Sequence, residues 1–95
     1  MGIEEIVGSK RADILRLAQR HGARNVRVFG PVARGEAGPD SDISFLIDSG
    51  EETTPWFPGG FVADLEDLLG RDVHIAWADS LPPYAQHILE EAVPL

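Results

Sequence analysis

At 95 residues, with 43% hydrophobic and 25% charged side chains, the chain reads as one small globular domain over residues 1–95, with room for a single modest core. The lack of cysteine excludes disulfides and thiolate metal sites, no apolar run reaches the roughly 18 residues of a membrane span, and the start Met1-Gly2-Ile3-Glu4-Glu5 lacks a signal peptide's basic residues, so a cytoplasmic protein is expected. The net charge of −8 argues against direct nucleic-acid binding, where phosphate contacts dominate affinity.

Charge is also unevenly placed. Seven of the eight basic residues precede residue 35, and beyond it only Arg71 offsets thirteen carboxylates. This acidic portion either attracts a basic partner protein or serves as solubilising surface.

In chain order, Ser9 is placed to cap a helix whose apolar residues Ala12, Ile14, Leu15, Leu17 and Ala18 follow near-helical spacing, with Gly22 ending it. Asn25 to Phe29 alternates as a strand. Pro31 suits the first turn of a short helix reaching about Ala37, since its missing N–H costs nothing there. Gly38-Pro39-Asp40 is a turn, and Asp42 to Asp48 a second strand whose Phe45-Leu46-Ile47 run predicts burial on both faces. Residues 49–58 read as a loop, in which Trp56-Phe57 either forms an exposed anchor for a partner or folds back to close the core. A helix from Gly60 to Leu69 ends at Gly70, Asp72 to Trp77 is a third strand, and Pro82-Pro83 opens a last helix to Ala92, with Pro94 beyond it. The order αβαβαβα predicts an α/β (α+β) layer fold with a small three-stranded sheet covered by helices.

One segment carries chemistry. A bend between a strand and a helix turns backbone amides toward an anion, and carboxylates two apart on a strand share a face and can hold metal ions that bridge a triphosphate. Here Gly30-Pro31 supplies the bend, while Asp42-Ile43-Ser44 keeps only the first acid of such a pair.

Gly30-Pro31, ten intervening residues, then Asp42-Ile43-Ser44 resembles the Gly-Ser…Asp-x-Asp motif of the minimal nucleotidyltransferases, small members of the polymerase-beta superfamily. Ala33-Arg34-Gly35-Glu36-Ala37, the Gly70-Arg71-Asp72-Val73 entry to the third strand and the ending Ile88-Leu89-Glu90-Glu91-Ala92-Val93 extend the likeness over nearly the whole chain. The resemblance implies a nucleotidyltransferase fold, ATP or another NTP with Mg²⁺ as cofactors, and transfer of a nucleoside monophosphate to an acceptor. It also implies that the chain is antitoxin-like, paired with a helical HEPN-type toxin. By motif position, Gly30, Pro31 and Arg34 fall at the nucleotide, and Asp42, Ser44 and His74 at the three metal-binding carboxylates.

The motif is altered at three of these positions. Pro31 lacks the family's hydroxyl and its N–H, while Ser44 and His74 stand where carboxylates are expected. Asp42 remains as a remnant of the catalytic set, or is a solvated carboxylate at a strand start. The expected consequence is a scaffold with impaired chemistry. The alternative is an active enzyme in which Asp40, Asp48 or His74 substitutes as ligand beside Asp42. A different metal site built on Asp42 and His74 would have too few ligands. Arg34 either meets a phosphate or pairs with Glu36 or Asp40, and His21 is expected to complement its helix C-terminus.

Overall fold

A computed structural model describes residues 1–95. Strands β1 (Ala23–Phe29), β2 (Ile43–Ser49), β3 (Val73–Trp77) and β4 (Val93–Pro94) form one mixed sheet in the order β3-β2-β1-β4. β1 is antiparallel to β2 and β4, while β2 and β3 run parallel. The sheet thus has four strands, where the sequence suggests three. The extra one is the two-residue β4, paired with Arg27 and Val28 of β1 and continued by the Leu95 N–H donating to the Val26 carbonyl at 3.0 Å. Proline is tolerated on such an edge because it needs no inward N–H.

Helix α1 spans Ile3–Ile6, and α2 spans Arg11–His21, with Ile14, Ala18 and His21 on its buried stripe. Gly22 ends α2 at φ 92, donating its N–H to Ala18. Ser9 does not cap it; the residue lies in a preceding 3₁₀ turn, Gly8–Lys10, and α2 has no side-chain cap. Helix α3 is only Pro31–Arg34, because Gly35 at φ 77 stops it short of Ala37. Helix α4 (Gly59–Leu69) buries Phe61, Leu65 and Leu69 at spacings of four and ends at Gly70, φ 64. The predicted last helix is divided into a 3₁₀ turn at Pro83–Ala85 and α5 (His87–Glu91).

One face of the sheet packs Val28, Ile43, Phe45, Ile47 and Val73 against Ile14, Ala18, Phe61, Leu65 and Leu69. Residue alternation sends Leu46 to the other face, yet it is also fully buried, in line with the Phe45-Leu46-Ile47 run. No helix is long and apolar enough to cross a membrane.

β1 carries an irregularity: its pairing with β2 shifts between Arg24 and Arg27, and Asn25 adopts φ 52. The 49–58 loop resolves its two aromatics differently. Phe57 packs on Phe61 and Trp77, with ring centroids 6.4 and 5.5 Å apart, whereas Trp56 is 91% exposed at φ 65. His21 does more than face a helix terminus. Its Nε2–H donates to Asp64 Oδ2 at 2.7 Å, and Nδ1 accepts from the Thr54 hydroxyl at 2.8 Å, tying the loop to α2 and α4.

Candidate active site

The sheet register collects the motif residues. Phe29 opposes Ser44 on β2, and Ser44 opposes His74 on β3, so the end of β1 and the two altered metal positions form one row. Gly30 follows Phe29 at φ 78, in the left-handed region that a β-carbon disfavours, and a Cβ there would lie 3.7 Å from Ser44 Oγ. Asp42, two residues before Ser44, shares its face. Both Asp42 and His74 are exposed, and His74 Nε2–H donates to Asp42 Oδ2 at 2.6 Å; the carboxylate can only accept, which assigns the tautomer.

The donor set can be compared with what Mg²⁺ requires. This hard cation takes oxygen ligands, usually carboxylates together with substrate phosphates. The row offers one carboxylate, one hydroxyl and one imidazole, and the carboxylate already accepts from the imidazole. No group of three or more His, Asp or Glu side chains is arranged to hold a metal ion. The residues do not fit a two-Mg²⁺ centre.

Beside the row lies a cleft of about 460 Å³, lined by Asp40, Asp42, Glu66, Asp67, Arg71 and Asp72. Two of these charges are committed to local structure. Arg71 Nη1 donates to the Gly38 and Ser41 carbonyls at 3.1 and 2.9 Å, shaping the turn before β2, and Glu66 Oε2 accepts the Val73 N–H at 3.0 Å. Asp40 borders the same cleft as Asp42, but Asp48 does not. At the far end of β2, Asp48 accepts from Asn25 Nδ2 at 2.8 Å and faces Arg27 at 3.6 Å, which removes it as a substitute ligand. A second groove, of about 610 Å³ between α2 and the β1 edge, contains none of the motif residues.

Arg34 is brought to the Gly30 turn by a residue the sequence reading did not single out. Glu91, on α5, accepts the Gly30 N–H through Oε1 at 2.8 Å and Arg34 Nη1 through Oε2 at 2.9 Å. Arg34 Nε donates to Glu36 at 3.0 Å, and Asp40 takes no part. The hydrogen bond that Arg34 donates to Glu91, aided by the one to Glu36, raises the Arg34 pKa above its ordinary value. Burial pushes the Glu91 carboxyl up, but the Gly30 N–H and Arg34, with a smaller electrostatic contribution from His87, outweigh it and hold the group below the usual range. Glu91 is 61 positions from Gly30, so no local pattern could have linked them. The only hint was its place in the family-like ending.

Comparison with known proteins identifies the family and the fold. Residues 13–95 match the family model described as a nucleotidyltransferase domain. The protein adenylyltransferase MntA of Thermococcus cleftensis is 36% identical over 92 residues, spanning 96% of this chain and 93% of the relative. A solved structure provisionally described as a minimal nucleotidyltransferase superposes with a TM-score of 0.83 at 42% identity, covering 100% of this chain and 97% of that one. A crystal structure of a toxin–antitoxin complex, MntA–HpeT in a mutant form, matches with a TM-score of 0.69 over 90% of this chain and 70% of that one; at 17% identity it shows the shared fold alone.

Proposed function

The chain belongs to the nucleotidyltransferase domain family, among its minimal members, and on that premise we propose that it acts as the antitoxin-like partner of a HEPN-type toxin, with its transfer chemistry impaired. The observation carrying this reading is the 2.6 Å hydrogen bond between His74 and Asp42, beside Ser44. It engages the only motif carboxylate that remains. Loss of one well-placed electrostatic group commonly costs about 10²–10³ in rate, and here Pro31, Ser44 and His74 all depart from the motif. A toxin partner is supported by the likeness to an MntA and by the fold shared with a toxin–antitoxin complex. The acidic surface beyond residue 35 suits a basic partner.

A second reading, residual Mg²⁺-dependent transfer of AMP to a protein, draws on the cleft that Asp40, Asp42 and Asp72 share. Incubation with labelled ATP, Mg²⁺ or Mn²⁺ and a candidate HEPN-type toxin separates the two. A stable complex without label transfer is the expected result. Label transfer abolished by Asp42→Ala would establish the second reading, and the absence of any complex would remove the antitoxin role.

A further inference from the structure

The 610 Å³ groove between α2 and the outer edge of β1 has an apolar floor that includes Leu15, Ala18, Val26 and Leu95. Its charged lining residues are Arg24 and Arg27, and no carboxylate borders it, although acids outnumber bases 16 to 8 in the chain. Arg27 faces Asp48 at 3.6 Å, whereas the exposed Arg24 makes no ion pair. Asn25, at φ 52, interrupts the edge of β1 here, so an occupant would be held by side chains and not as an added strand.

One loop of the same chain has the matching chemistry. Glu51 and Glu52 are exposed and unpaired, and Trp56 beyond them is 91% exposed. The loop is firmly tied: the Gly50 and Thr54 N–H groups donate to the Gly22 and His21 carbonyls at 2.7 and 3.1 Å, and the Phe57 N–H donates to Thr54 at 3.1 Å. Between these anchors Trp56 adopts φ 65, a left-handed conformation that is unfavourable for so bulky a residue. The backbone therefore holds the indole out in water at the expense of local strain. An aromatic presented this way loses little further freedom on docking, as a binding anchor requires. Gly50 itself lines the groove, so the acidic, aromatic loop and the basic, apolar groove adjoin on one surface.

We propose that this groove receives a second copy of the chain: Trp56 of the second molecule lies on the apolar floor, and its Glu51 and Glu52 meet Arg24. Because loop and groove adjoin, the two molecules can exchange the same contact about a two-fold axis, which closes the assembly at a dimer. None of the motif residues lines the groove, so the dimer requires neither a nucleotide nor a toxin.

Analytical ultracentrifugation of the full chain, from micromolar to millimolar concentration, tests this. The wild type is expected to pass reversibly from monomer to dimer. Trp56→Ala and Arg24→Glu should each weaken the dimer by at least about tenfold, with circular dichroism confirming that both are folded. Trp56 is almost wholly in solvent, so its removal carries the test alone should Arg24→Glu unfold. A charge exchange then identifies the contact. Arg24→Glu sets like charges against Glu51 and Glu52, and the double variant Glu51→Arg with Glu52→Arg does so against Arg24, so each should stay monomeric by itself. Mixed together, the two regain opposite charges at both contacts and should form a heterodimer. A wild type that remains monomeric throughout would overturn the proposal and leave the groove to a different protein. A dimer unaffected by Trp56→Ala, or two charge-exchanged variants that do not associate when mixed, would place the contact on another surface and overturn it equally.

Discussion

His74, on β3, donates to Asp42, just before β2, across a distance of 2.6 Å, and the parallel pairing of Ser44 with His74 keeps the two side chains together. An imidazole therefore engages a carboxylate where the family motif sets carboxylates side by side. Three like charges in that space repel unless a cation neutralises them, whereas the pair present here is self-satisfied. The exchange replaces clustered negative charge with a paired donor and acceptor without requiring the fold to change.

Restoring the motif should restore chemistry. The combined variant Pro31→Ser, Ser44→Asp and His74→Asp is expected to raise Mg²⁺-dependent label transfer from ATP by at least about 10²-fold over the wild type. It should also lose a few degrees of melting temperature in metal-free buffer and regain them with Mg²⁺. A restored motif that remained as inactive as the parent would place the defect outside these three positions.

Acid should act through Glu91. Its carboxyl titrates lower in the folded chain than in the unfolded chain, so its stabilising contribution is complete above the ordinary value of 4.5 and is lost as pH falls through the depressed folded value. Glu91→Gln is expected to melt about 2–5 °C below the wild type at neutral pH, with the two curves converging in acid. A constant gap across the pH range would contradict this assignment.

His21 is a structural pin. Removing it leaves the half-buried Asp64 carboxylate and Thr54 hydroxyl without their partner and opens space beside the Phe61 ring, whose centroid lies 5.9 Å away. Urea titration of His21→Ala should show a loss of about 2–4 kcal/mol. Thr54→Val, which loses only one hydrogen bond, should cost about 1 kcal/mol.

The adjacent aromatics Trp56 and Phe57 should separate cleanly. Trp56→Ala is expected to stay within about 0.5 kcal/mol of the wild type, because its ring touches solvent. Phe57→Ala should cost about 2–3 kcal/mol through lost packing on Phe61 and Trp77. Equal costs in equilibrium unfolding would mean that the loop packs differently from the arrangement described.

Much of the architecture was legible because local signals coincided with packing. Gly22 and Gly70 end helices whose apolar stripes face the sheet, and the Phe45-Leu46-Ile47 run does reach both faces. The motif order likewise anticipated which residues the register would align. What escaped the reading depends on separation or on competing local choices. β4 contains a proline that argues against a strand until an edge is available for it. Ser9 was drawn into a 3₁₀ turn instead of capping. Asp48 sits on the acidic strand, but its distance from Asp42 along β2 takes it to the other end of the sheet. Glu91 reaches the motif turn only after the chain has crossed the sheet and returned.

The irregular start of β1 has a consequence for the molecule on its own. β4 covers only the Arg27–Val28 part of the outer edge of β1, a partial exposure that can invite strands of neighbouring molecules to stack. Asn25, turned into the left-handed region, breaks the regular line of N–H and C=O groups there, and the exposed Arg24 adds a charge beside it. Copies of the chain are thereby discouraged from zipping together edge to edge along β1.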